Sequence, residues 1–148
     1  QQLTAEAVLA TVGDSSRYSI YDLVDAALIG QPERVARIHN GLRSKGVEPV
    51  LVNWVLHQEI RVLTALAFAQ RQSQPLDVVF AVHKVWDKRK LSLNQALQRL
   101  TLADCRQLLR TCAWIDRAIK GSETGSPWDA LLANGLRLAG LELWPESP

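Results

Sequence analysis

The longest uninterrupted helical pattern in this sequence spans residues 49–70 and reads PVLVNWVLHQEIRVLTALAFAQ. Apolar side chains lie on almost every side of a helix built from it, which is typical of a buried central helix. Its length would also fit a membrane span, but polar residues including Arg61 lie at its middle. An arginine there costs about 2.5–3.5 kcal/mol on membrane-insertion scales. We therefore predict a buried bundle helix opened by Pro49, and no membrane association.

Capping signals before this segment predict three further helices. Thr4 begins a short helix that runs to about residue 12. Ser19 and Asp22 have the spacing of a capping box and would begin a second helix, which ends at Gly30. Pro32 begins the third helix, because proline is well tolerated at the first helical position.

The remainder of the chain is also predicted to be helical. The expected segments are a short helix over residues 75–83 and a second with Ser92 as its N-cap and its end near residue 100. A longer helix over residues 102–120 is opened by the capping box Thr101 and Asp104. The last helix, over residues 127–141, is opened by Ser126 with Pro127 at its first position. No stretch alternates with the period of two that a strand requires. The predicted fold class is therefore all-α, a helical bundle of seven or eight helices.

Length and composition limit the function classes. The 148 residues provide one domain of ordinary size, with 47% apolar and 22% charged residues, as in average globular proteins. A net charge of +2 excludes a strongly basic surface overall, and two cysteines exclude a disulfide framework. Neither a signal peptide nor any methionine is present. We interpret the chain as a piece of a longer protein.

Catalytic patterns are missing from the sequence. There is no G-x-S-x-G motif and no glycine-rich phosphate loop. The histidines His39, His57 and His83 lie in predicted helices without a metal-binding partner at helical spacing. Cys105 and Cys112 are interpreted as small apolar residues of a buried stripe. We predict no catalytic residue, no metal site and no cofactor.

The basic segment, residues 84–90, stands out from the rest of the chain because it carries a local charge of +3. Cations that contact phosphates, together with an indole that stacks on an unpaired base, are typical of nucleic-acid binding. The segment therefore gives the candidate nucleic-acid-binding residues Lys84, Trp86, Lys88, Arg89 and Lys90. The alternative is a solvated turn whose Trp86 fills a gap in the bundle.

Tryptophan is over-represented, with five residues against two phenylalanines and two tyrosines. Tryptophan is enriched at the hot spots of protein interfaces. Some of the five are therefore candidates for partner contacts, although all could instead fill the core. The five are Trp54, Trp86, Trp114, Trp128 and Trp144.

The order of several short motifs resembles the C-terminal part of the delta-subunit family of bacterial DNA polymerase III. No single motif is specific, but the ordered set extends from about residue 3 to residue 140. The motifs are YDLVDAAL at 21–28 with Gly30, GVEPV at 46–50, EIRVL at 59–63, VWDKR at 85–89, DRAIKG at 116–121 and PW at 127–128.

This resemblance implies a collar domain of a clamp loader, the pentamer that places the sliding clamp on primed DNA. It implies that residues 1–17 end the preceding lid domain and that residues 18–148 form the helical collar domain. The implied partners are the tau/gamma and delta-prime subunits and, in the assembled loader, primed DNA. The sliding clamp would be contacted by an N-terminal domain outside this chain. The implied location is the cytoplasm, and the implied role is that of a non-enzymatic accessory subunit.

Two other function classes remain open from the residues alone. One is a stand-alone helical nucleic-acid-binding adaptor that uses the basic segment. The other is a small enzyme whose site forms only with a missing domain.

Overall fold

The computed structural model describes residues 4–142, which form eight α-helices and contain no strand. This confirms the predicted all-α class and the predicted number of helices. Trp144 lies outside the described residues. The helices are α1 (Ala5–Thr11), α2 (Asp14–Ile29), α3 (Pro32–Ser44), α4 (Pro49–Arg71), α5 (Leu76–Val82), α6 (Asp87–Arg99), α7 (Leu102–Ile119) and α8 (Pro127–Leu138).

Helix α4 forms the centre of the bundle, as its sequence predicts. It packs against α1, α2, α5, α6, α7 and α8. Leu56, Ile60 and Leu63 have no exposed surface. Two polar residues of this helix are buried and paired: the Asn53 amide donates to the Cys112 carbonyl at 3.1 Å, and Glu59 pairs with Arg89. Arg61, which argued against a membrane span, is exposed on the surface of the bundle. In the part of the chain that the structure describes, no helix is both long and apolar enough to cross a membrane.

Three predicted helix starts are confirmed with their capping interactions. At the start of α1, the Thr4 hydroxyl accepts from the Ala7 N–H at 3.1 Å. At the start of α7, the Thr101 hydroxyl accepts from the Asp104 N–H and the Asp104 carboxylate accepts from the Thr101 N–H, which is a complete capping box. At the start of α8, the Ser126 hydroxyl accepts from the Asp129 N–H at 3.3 Å, and Pro127 occupies the first turn. These interactions are local, so the sequence is sufficient to predict them.

Two other predicted caps are wrong. Ser19 lies inside α2, which begins five residues earlier at Asp14, and its hydroxyl donates to the Ser15 carbonyl. Ser92 lies inside α6 and is buried, where its hydroxyl donates to the Asp25 carboxylate at 2.9 Å. A hydroxyl inside a helix can be satisfied by the preceding turn or by another helix, so neither serine has to mark a helix start.

Arg99 joins the C-terminal ends of two helices. One of its terminal nitrogens donates to the carbonyls of Ala27, Leu28 and Leu138, at 3.2, 2.9 and 2.9 Å. The last carbonyls of a helix have no partner within the helix, and a cation is favourable there. Arg99 therefore fixes the end of α2 against the end of α8.

Gly30 and Gly140 make room for this arginine. Both adopt left-handed backbone angles, with φ of 85° and 105°. A Cβ atom at Gly30 would lie 3.2 Å from a guanidinium nitrogen of Arg99, and one at Gly140 would lie 3.3 Å from its Nε. Glycine is therefore favoured at both positions by conformation and by space.

Burial of α4 predicts a large loss of stability when a central side chain is shortened. We expect Leu63→Ala to lower the free energy of unfolding by about 2–5 kcal/mol, because it removes buried methyl groups and leaves a cavity. The matched control is Leu91→Ala, since Leu91 is 69% exposed. Urea denaturation followed by circular dichroism measures both. A loss under about 0.5 kcal/mol for Leu63→Ala would contradict the central position of α4.

The bonds of Arg99 generate a second prediction. We expect Arg99→Gln to lower the free energy of unfolding by about 1–3 kcal/mol, because three helix-terminal carbonyls lose a charged donor. The control is Arg37→Gln, which removes a positive charge from the exposed face of α3 and should change stability by less than about 0.5 kcal/mol. Equal effects of the two changes in the same denaturation experiment would show that Arg99 acts only through its charge.

Candidate nucleic-acid interface

The basic segment forms the turn between α5 and α6 and the first turn of α6. Lys84 follows the end of α5 with a left-handed φ of 54°. The Val85 N–H then donates to the Phe80 carbonyl at 2.9 Å. Trp86 is the N-cap residue of α6, and its carbonyl accepts from the N–H groups of Arg89 and Lys90. The backbone is thus held in place on both sides of Trp86.

Trp86 points into solvent and is 79% exposed, whereas its neighbour Val85 is buried against the core. The alternative interpretation of Trp86 as a residue that fills the bundle is therefore wrong, because Val85 occupies that position. An exposed indole on a hydrogen-bonded turn is available to stack on a base or to pack against a protein partner.

The four cations of the segment differ in their surroundings. Arg89 pairs with the buried carboxylate of Glu59. Lys90 pairs with Asp87 at 3.1 Å and lies 5.6 Å from the centre of the Phe80 ring. Lys84 and Lys88 are exposed. Phosphate binding by Arg89 or Lys90 would thus compete with an existing ion pair, while Lys84 and Lys88 have no such competitor among residues 4–142.

Two surface grooves are both lined by the Arg89–Glu59 pair. One, of about 260 Å³, is lined by Tyr18 and Tyr21 of α2 together with Lys88. The other, of about 310 Å³, is lined by Tyr21, Trp54 and other residues of α4. The sequence analysis did not identify the two tyrosines. Their spacing of three residues on α2, beside the buried Ile20 and Leu23, is the pattern that indicates a common exposed face.

The other described tryptophans lie at the margin of the core. Trp54, Trp114 and Trp128 are half-buried. The Trp128 ring contacts the His39 ring edge to face at 5.2 Å, and His39 Nε2 donates to the Trp128 carbonyl at 2.7 Å. These three residues therefore pack against the core. Of the described tryptophans, Trp86 alone is largely exposed.

Burial shifts the pKa values of both cysteines and of one histidine. Burial raises the pKa of Cys105 to about 11 and that of Cys112 to about 12, so both thiols stay protonated near neutral pH. Burial, with a smaller effect of Arg61, lowers the pKa of His57. Within residues 4–142 no group of three His, Cys, Asp or Glu side chains could hold a metal ion. The surface features described above suit binding rather than catalysis.

Comparison with known proteins supports this interpretation. Residues 20–143 match the family model described as the processivity clamp loader gamma complex DNA polymerase III C-terminal domain. The match covers most of the chain, and the chain belongs to this family. The resemblance deduced from the ordered motifs is confirmed.

Two curated relatives are DNA polymerase III delta subunits. The chain is 32% identical over 132 residues to the protein from Escherichia coli strain K12, a match covering 88% of the chain and 38% of that relative. It is 27% identical over 135 residues to the protein from Haemophilus influenzae, covering 86% of the chain and 39% of that relative. The chain thus spans about two fifths of the length of these two relatives.

Proposed function

We propose that this chain is the collar region of a clamp-loader delta subunit, which joins the other loader subunits in a ring that places the sliding clamp on primed DNA. The family match over residues 20–143 carries this proposal. The proposed neighbours are the tau/gamma and delta-prime subunits. The sliding clamp would be held by a part of the delta subunit outside this chain, and the assembly would act in the cytoplasm.

In this proposal the chain acts by binding, without catalysis of its own. Residues 1–17 are assigned to the end of the preceding lid domain and residues 18–148 to the collar. Helix α2 begins at Asp14 and continues to Ile29, so this boundary would fall within its first turns. A continuous helix across the boundary would transmit the orientation of the lid to the collar.

The proposed subunit contact uses the aromatic surface of α2. Tyr18 and Tyr21 are exposed next to the charged groups of Lys88 and Asp22. Aromatic side chains surrounded by polar groups are typical of interface hot spots. The Arg89–Glu59 pair, which also lines this groove, would fix the surface before a partner binds.

Assembly tests the collar assignment. We expect a delta subunit that carries Tyr18→Ser with Tyr21→Ser to enter the loader ring at least about tenfold less tightly, because two interface anchors are lost. The matched control is Val78→Ser with Val82→Ser, which removes exposed apolar side chains from α5. Size-exclusion chromatography with the tau/gamma and delta-prime subunits measures ring formation. Normal assembly of the tyrosine variant would exclude this surface, and failure of the unmodified subunit to assemble would exclude the collar assignment.

Primed DNA is the proposed ligand of the basic segment in the assembled loader, with Trp86 on a base and Lys84, Lys88, Arg89 and Lys90 on phosphates. We expect Trp86→Ala to weaken primed-DNA binding about tenfold, since stacking contributes about 1–3 kcal/mol per base. Ring assembly and melting temperature should not change, because Trp86 is exposed. Leu91→Ala on α6 is the control. Unchanged DNA affinity of the Trp86 variant, measured by fluorescence anisotropy, would refute this role.

A further inference from the structure

A row of arginines follows the outer side of α7. Arg106, Arg110 and Arg117 lie at positions i, i+4 and i+11, and all three are exposed. This spacing keeps them on one side of a helix over about 16 Å. The opposite side of α7 carries the buried residues Cys105, Leu108, Cys112 and Ile115.

Grooves on both sides of this row contain an aromatic side chain and further arginines. The groove between α4 and α7, of about 360 Å³, is lined by Arg61, Arg106 and Phe68, and Phe68 is 47% exposed. The groove between α7 and α8, of about 390 Å³, is lined by Arg110, Arg117, Arg137 and Trp114. We call the row and its two grooves the arginine face.

Three arginines of the arginine face lack a carboxylate partner within the described part of the chain. Within residues 4–142 no carboxylate lies within 4.0 Å of Arg61, Arg106 or Arg110. Arg110 donates instead to the neutral side-chain oxygen of Gln107, at 2.7 and 3.1 Å. Arg117 pairs with Glu123 at 3.1 Å. The face thus concentrates positive charge in a chain whose overall charge is only +2.

We propose that the arginine face binds single-stranded nucleic acid, with the arginines on successive phosphates and bases stacked on the exposed Phe68 and on the part of the half-buried Trp114 ring that lines the groove. Guanidinium groups bind phosphate in a bidentate geometry. Cations that alternate with aromatic rings are typical of grooves for single strands. A duplex would leave the rings without bases to stack on, and an acidic peptide would not need them.

This surface differs from the basic segment. Helix α6 packs on α2 and α4, whereas α7 packs on α4 and α8. The basic segment has carboxylate partners for two of its four cations. The inference goes beyond the proposed function and does not rest on it, because it needs no other loader subunit.

The test measures binding of the 148-residue chain to a fluorescein-labelled oligothymidylate of about 20 nucleotides by anisotropy at several salt concentrations. We expect the triple variant Arg106→Gln, Arg110→Gln, Arg117→Gln to raise the Kd at least about tenfold. The slope of log affinity against log salt should fall by about 2, at about 0.7 per phosphate contact for single strands. The control is Arg37→Gln, Arg43→Gln, Lys45→Gln, which removes three exposed positive charges on and just after α3, one of them paired with a carboxylate as Arg117 is, and should change the Kd less than about twofold.

Equal losses in the two triple variants, both checked for folding by circular dichroism, would overturn the proposal. So would the absence of oligothymidylate binding by the unmodified chain at low salt. Loss of binding in Trp86→Ala, with full binding in the arginine variant, would assign the single strand to the basic segment and also overturn it.

The Phe68→Leu variant distinguishes binding of a nucleic acid from binding of an acidic protein. Leucine keeps the apolar surface but removes the ring, so we expect at least about fivefold weaker binding of the oligothymidylate. Polyglutamate of equal length should compete only weakly with the oligothymidylate, and equally so for the unmodified chain and the Phe68→Leu variant. If polyglutamate competes as well as the oligothymidylate and Phe68→Leu has no effect, the face binds an acidic protein segment and the proposal is wrong.

Discussion

Burial of α4 is the constraint on which the rest of the structure depends. A helix that is apolar on nearly every side has to be removed from water all round, and the hydrophobic effect supplies the driving force. Six helices pack on α4 to achieve this. Each of them, including α7, can then direct its polar side outward. The exposed arginines of α7 and the exposed tyrosines of α2 are consequences of this arrangement.

Polar groups inside the bundle determine how the helices are placed around α4. Glu59 is nearly buried, and its pairing with Arg89 fixes the start of α6, and with it Trp86, relative to α4. Arg99 holds the ends of α2 and α8 together by donating to three carbonyls in their last turns. The Asn134 amide donates to Leu108 and Cys112 of α7 and so sets α8 against it. Buried bonds of this kind favour one packing over its alternatives.

The surface that results is suited to binding. The thiols of Cys105 and Cys112 are buried, and burial raises their pKa values. Aromatic and cationic side chains, by contrast, are exposed. Membership of a clamp-loader family fits a scaffold of this type, in which rigid helices present contact residues. The exposed Trp86 and the arginine face occupy different helices, which would let one small domain contact two parts of a nucleic acid.

The sequence by itself determined the features that depend on neighbouring residues: the central helix, the capping box of Thr101 and Asp104, the all-α class and the family. It did not determine that Ser92 would bond to Asp25, 67 residues away, or that Val85 would enter the core in place of Trp86. Nor did it reveal that Arg89 is paired with Glu59, while Arg106 and Arg110 have no carboxylate partner among residues 4–142. Helix signals act over one or two turns, but the partner of a side chain depends on which helices meet. Only packing in three dimensions decides that.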